Sequence, residues 1–197
     1  MIESTTAASS TEERLIDGTL KCIEQKGLAA TSSRDIAAAA GVNLAGITYH
    51  FGSKDELVAE ALLRAAGRWL EPVIDALSTE ADPAARLLAA IEALQTALEE
   101  ARDLVPAYVE ARVRSRQADR LKRGLDGLVS ELQRFVADQL EEQRSAGYLP
   151  QWVDAQAMAG LLIAVADGIA LHVALDPDID HRAISAQAVQ LLLAARG

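Results

Sequence analysis

Three boxes of the form Ser-x-x-acid constrain this chain more than any other feature: Ser10-Thr-Glu-Glu13, Ser32-Ser-Arg-Asp35 and Ser53-Lys-Asp-Glu56. In each, a hydroxyl and a carboxylate can satisfy free amides at a helix start, so each box marks an N-terminus. Gly27, Gly41 and Gly52 follow as stops. The spacing predicts a helix from Ser10 to near Gly27, with Leu15, Ile16, Thr19, Leu20 and Ile23 on one face. It predicts short helices over 33–40 and 44–50, the second capped by Asn43. A long helix then runs from Lys54 into the seventies, where Pro72 should kink or end it.

The helical period continues to the end of the chain. Asp82-Pro83 reads as a cap followed by a first helical residue, opening a helix to about Arg102, and Pro106 restarts a shorter one to about Arg116. Leu121, Leu125, Leu128, Leu132, Phe135, Val136 and Leu140 mark a long amphipathic helix that stops at Gly147-Tyr-Leu-Pro150. Two more helices are expected, from about Asp154 to Leu175 and from about His181 to Ala195. Half of the residues are apolar but only 4% are aromatic; Ala and Leu dominate, which suits packed helices rather than sheets. The expected fold is all-α, with a disordered tail over 1–9, a three-helix domain over 10–53 and a larger helical bundle over 54–197.

Several classes of function fall away. The single cysteine, Cys22, excludes an intramolecular disulfide or a multi-thiolate metal site and reads as a small core residue. No His/Glu metal spacing, nucleophile elbow or phosphate loop is present, so neither an enzyme nor a cofactor is expected. Residues 1–10 lack the basic and apolar blocks of a signal peptide. The stretch 157–175 approaches the length of a membrane span, but it holds Asp167 and His172 with breaks at Gly160 and Gly168. It reads as a buried helix, and a cytoplasmic protein with no membrane partner is expected.

The two short helices around Gly41 form a helix-turn-helix candidate, the second placed to enter a DNA major groove while the first braces it. Ile36, Ala37 and Ala40 can face inward, Val42 and Ile47 can fill the junction, and Gly46 would let backbone approach DNA. The formal net charge of −10 opposes this, because affinity for nucleic acid comes largely from cations displacing phosphate counterions. The charge is uneven, however. Residues 31–54 carry Arg34 and Lys54 against Asp35, and 102–123 carry seven cations against three acids. The remaining segments are acidic. Non-specific affinity should therefore be modest and the salt slope small, with tight binding dependent on a dimer.

The run Ala40-Gly-Val-Asn43, followed at fixed spacing by Tyr49-His-Phe-Gly-Ser-Lys-Asp-Glu-Leu57, resembles the DNA-binding motif of the tetracycline-repressor (TetR) family of bacterial transcription regulators. The likeness covers roughly residues 12–60, with Thr48 standing where many members carry an aromatic. Less specifically, Asp167-Gly168 resembles the family within the penultimate helix. The resemblance implies DNA contacts from Ser32, Ser33, Arg34, Asn43, Leu44, Ala45, Gly46, Thr48, Tyr49, His50 and Lys54. Chemistry supports such roles: hydroxyls and amides at a helix start take phosphate, and Thr48 can meet a base or a thymine methyl. Tyr49 can donate to phosphate, and Lys54 is a point charge misplaced in a first turn unless an anion lies nearby. Taken without the resemblance, Ser32, Asn43 and Ser53 read as ordinary caps and Phe51 as a core plug, while His50 reads equally as structural.

The resemblance also implies a homodimer that reads a palindromic double-stranded operator, with recognition helices about 34 Å apart, and a pocket for a small-molecule effector. The 157–175 helix is apolar all round and so needs cover on two sides. Gly160, Leu161, Ala164, Gly168, Val189 and Leu192 are the expected interface residues. Trp69, Gln95, Tyr108, Arg112, Phe135, Met158, Asp167 and His172 are the larger or polar side chains that could line a pocket. The expected function is a repressor released by ligand. An activator, a ligand-independent regulator and a helical interaction module remain as alternatives.

Overall fold

The computed structural model describes residues 10–79, 83–114, 119–176 and 178–194. The expected tail over 1–9 lies outside them. Among the described residues every regular element is a helix: α1 Thr11–Lys26, α2 Ser33–Ala40, α3 Ala45–Phe51, α4 Lys54–Thr79, α5 Pro83–Glu100, α6 Val105–Arg114, α7 Asp119–Ser145, α8 Ala155–Leu175 and α9 His181–Ala194. The chain divides into two compact units between Arg64 and Ala65, a boundary that falls inside α4.

The capping boxes begin the first unit's helices as read. Ser10 N–H donates to Glu13 Oε2 (2.8 Å) and Glu13 N–H donates to Ser10 Oγ (3.2 Å). At α2, Asp35 N–H donates to Ser32 Oγ, while the Ser32 amide and hydroxyl both donate to the Asp35 carboxylate. At α4, Glu56 N–H donates to Ser53 Oγ (3.1 Å). Gly27, Gly41 and Gly52 all have positive φ, a region open to glycine at no steric cost. The core of this unit is Leu15, Ile16, Leu20, Cys22 and Ile23 of α1, Ile36, Ala37 and Ala40 of α2, Ile47 of α3, and Leu57 and Leu62 of α4, all buried. Each fully buried Leu or Ile contributes about 1.5–3 kcal/mol. The α1–α2 approach is close because Gly18 lies on Ala40. A Cβ on Gly18 would stand 2.9 Å from the Ala40 amide nitrogen and 3.1 Å from its Cβ.

In the second unit the core is Leu98, Ala101, Val105, Ile169 and Val173, with Trp69, Leu94, Val109, Ala170, Ala174 and Ile179 packed around it. A bidentate pair joins α5 to α9: Arg182 Nε and Nη2 donate to Glu99 Oε1 and Oε2 at 2.7 and 2.6 Å.

The structure narrows two sequence expectations. Of the two outcomes expected at Pro72, a kink or an end, the end does not occur: the helix runs on to Thr79. Both Pro72 and Arg68, whose carbonyl loses its usual amide partner, are exposed, so that carbonyl can face water. And within a single chain α8 is buried on one face only. Ala159, Ile169 and Val173 are buried, but Leu161, Val165, Leu171 and Leu175 are exposed, and only 17% of its most apolar window is covered. Its inner stripe meets α6 and α7; the opposite stripe is exposed among the described residues.

The Gly18 contact predicts that Gly18→Ala destabilises the protein by about 1–2 kcal/mol, since overpacking against backbone outweighs the gain in helix propensity. Urea unfolding of the variant measures it. Asp35 gives a pH prediction. The neighbouring Lys26 ammonium, at 2.5 Å, and then the Ser32 hydroxyl hold its carboxyl at about 2, against an ordinary 3.8. The group therefore stabilises the fold above the ordinary carboxylate range and stops doing so as pH falls toward 2. A carboxyl titration followed by NMR should show that midpoint, and Lys26→Ala should raise it.

Candidate nucleic-acid interface

Two helix starts converge on one groove. Ala29, Ala30, Thr31, Ser32 and Ser33 line it from the α2 side, and Ser53, Lys54 and Asp55 from the α4 side, around about 550 Å³. The first amides of each helix lie outside its own hydrogen-bond ladder. Each serine cap takes one of them, Asp35 N–H at α2 and Glu56 N–H at α4. Lys54 Nζ crosses it to donate to Thr31 O (3.1 Å). This tether explains how a cation is held in a first turn, where the helix dipole opposes it. The site pairs amide dipoles, hydroxyls and one ammonium, a set suited to phosphate, with Asp55 as the opposing charge.

Beside the groove, α3 turns a short stripe outward. Ala45, Thr48 and Tyr49, spaced three and four apart, share one face and are exposed, Tyr49 by 84%. Leu44 and Arg34 are exposed as well. On the opposite side Ile47 is 3% exposed and anchors the helix in the core.

Other sequence-predicted residues have partners within the fold. Asn43 Oδ1 accepts from Ala45 N–H (2.9 Å), so its oxygen is committed to opening α3. The Ser32 hydroxyl is committed to Asp35. His50 Nδ1 lies 3.3 Å from Glu12 Oε1 and its ring packs edge-on to Tyr49. Gly46 is small for an internal reason: a Cβ there would come within 2.9 Å of Val42 Cγ1. Ser33 and Lys54 are partly buried, as is Phe51.

In the second unit, Trp69 and Tyr108 meet ring to ring at 5.7 Å, and Trp69 packs on the core. Gln95 is buried; Phe135, Met158 and Asp167 are partly buried; His172 is at the surface. The Arg112 side chain lies outside the described residues, as do those of Val189 and Leu192. Among the interface candidates, Leu161 and Ala164 are exposed, while a Cβ on Gly160 would meet Gln133 Nε2 at 3.2 Å. Gly168 has open space around it.

Sequence reasoning missed the long-range polar pairs. Arg14 of α1 donates to the carbonyls of Ala40 and Gly41. Glu99, Arg102 and His181 border a cleft of about 350 Å³ floored by Leu98, Val173 and Ile179. Arg182 holds the Glu99 carboxyl below its ordinary range. No local spacing signals partners so far apart in sequence.

Residues 15–61 match the bacterial regulatory proteins of the tetR family, and residues 83–195 match the C-terminal domain of BetI-type transcriptional repressors. The transcriptional regulator BetI of Brucella suis is 30% identical over 86% of this chain and 82% of its own length. A TetR transcription regulator of Haloarcula marismortui superimposes with a TM-score of 0.84 at 20% identity, over 94% of this chain and 97% of that one. FadR of Bacillus subtilis, solved in complex with stearoyl-CoA, does so at 0.76 and 18%, over 93% and 98%. The chain therefore belongs to the TetR family of bacterial regulatory proteins and is a DNA-binding transcriptional regulator, not an enzyme.

Proposed function

We infer that this regulator is a repressor. As a homodimer it occupies a palindromic operator and leaves it when a small molecule binds the second unit. The observation that carries the dimer is the uncovered apolar stripe of α8, with Leu161, Val165, Leu171 and Leu175 exposed on a helix of mean hydropathy 2.0. Such a stripe is unstable in water and needs an apolar cover. A second copy of the same stripe supplies one by twofold symmetry. The same length and apolarity would also suit lipid, but the match of 83–195 to a repressor's C-terminal domain favours the dimer, acting in the cytoplasm.

On each half-site, Ala45, Thr48 and Tyr49 face the bases or adjoining phosphates, with Leu44 and Asn43 at the entry. The groove between α2 and α4 seats a phosphate on Ser33 and Lys54, Arg34 reaches a neighbouring phosphate or base edge, and Ser32 and His50 act mainly as supports. Residues 83–195 match repressors, which supports repression over activation. Fold neighbours such as FadR with stearoyl-CoA support a small-molecule site in the bundle. We place that site by the second unit's aliphatic core, where Trp69 packs, Tyr108 meets Trp69 ring to ring and the buried Gln95 is a candidate polar anchor. Effector binding favours a conformer in which α4 has shifted, and the effect on DNA cannot exceed the effector's differential affinity for the two conformers.

Light scattering should give twice the 20.9 kDa chain mass for the wild type and a single chain mass for Leu161→Glu, with operator affinity falling by about tenfold or more as the second half-site is lost. A wild-type monomer, or a variant still paired, counts against the α8 dimer. Lys54→Ala should weaken operator and scrambled DNA alike and lower the salt slope by about 1. An effect confined to one base position would show that Lys54 reads sequence. Operator binding measured with a panel of small molecules tests release; if none weakens it, the ligand-independent reading stands instead.

A further inference from the structure

We propose that Arg14 is a positioning residue for DNA recognition: it sets the helix-turn-helix turn from outside the DNA interface and thereby determines specificity. Arg14 lies on α1, yet its guanidinium belongs to the end of α2. Nε and Nη2 donate to Ala40 O at 3.1 and 2.8 Å, and Nη2 donates again to Gly41 O at 2.5 Å. The last carbonyls of a helix have no partner within it. Those of Ala37 and Ala38 are taken by the amides of Val42 and Gly41. Beyond Ala39, the carbonyls of Ala40 and Gly41 are the pair that Arg14 holds.

Three details make this a built clamp. First, α2 has no basic residue in its own last turn, so Arg14 supplies from another helix the cation that the dipole favours there. Second, Gly41 is left-handed at φ 61°, and a Cβ on it would lie 3.2 Å from Arg14 Nη2. The guanidinium fills the space beside the turn. Third, Gly18, one turn further along the same stripe of α1, seats the Ala40 backbone. A planar, rigid donor fork on two successive carbonyls fixes both peptide planes. Those planes set the angle at which α3 leaves α2, and so where Ala45, Thr48 and Tyr49 are presented.

The test uses the full chain and two duplexes, one recovered from randomised DNA by the wild type and one of scrambled sequence. Arg14→Ala should weaken the selected duplex by about tenfold, comparable to a lost base contact, and the scrambled one by less than about twofold. The salt slope should not change, because no phosphate contact is removed. Arg14→Lys, which keeps the charge and loses the fork, should restore part of the ratio. Amide exchange in the free variants should quicken from Val42 to Ile47 while Leu15 to Ile23 keep their protection.

Equal losses on both duplexes with a slope lower by about 1 would make Arg14 a phosphate contact and overturn the proposal. So would a Lys variant with wild-type binding on both duplexes and wild-type exchange at the turn. Exchange that quickens equally throughout α1 would reduce Arg14 to a general stabiliser, also overturning it. If Arg14→Ala does not fold, the Lys variant carries the comparison. A wild type that selects no duplex would count against operator recognition, and exchange at the turn would still decide the clamp.

Discussion

The seat of Ala40 against α1 is the contact on which the first unit depends. A short helix of eight residues has little stability of its own. What holds α2 is its neighbour: Gly18 admits its backbone, and Ile36, Ala37 and Ala40 enter the apolar surface made by Leu15, Ile16, Thr19 and Ile23. Thr19 can be buried there because its hydroxyl donates to Leu15 O at 2.7 Å. With α2 fixed, the glycine turn and Ile47 fix α3. The outward stripe of α3 is in this sense a by-product of inward packing: Ile47 buries one side, so Ala45, Thr48 and Tyr49 face the other.

Local chemistry was the legible part. Capping boxes and glycine stops act within four residues, and they located the starts of α1, α2 and α4 and the ends of α1, α2 and α3 directly in the sequence. The family's motif sits on these same elements, so the recognition segment and the fold class were legible too. Contacts between distant residues were not. Nothing near Arg14 announces that it belongs to Ala40, and nothing near Glu99 announces Arg182, 83 positions away. Asn43 and Ser32 were readable both as caps and as DNA contacts, and their oxygens do take part in opening helices. Pro72 does not end α4, because proline's cost depends on whether the orphaned carbonyl can reach water, which is a property of burial and not of spacing.

The acidic composition takes on a definite sense in the structure. The groove between α2 and α4 brings together a single ammonium, several hydroxyls and the positive ends of two helices, with Asp55 at its edge. Helix amides attract phosphate only at short range and in one orientation. A site built mainly from them gains little from long-range attraction to DNA in general, and depends on fit.

Under the proposed pairing, the naked stripe of α8 would make the quantity of this protein part of its behaviour. With a second copy as its cover, the pairing equilibrium follows mass action. While single chains predominate, doubling their concentration raises the paired form about fourfold. Occupancy of a site that needs the pair would then rise more steeply than the copy number. A cell making slightly too little of the regulator would lose control abruptly, and the unpaired chains would meanwhile carry an adhesive apolar surface attractive to chaperones and proteases. A helix face turned to solvent in the single chain would thus govern how sharply the regulator responds to its own abundance.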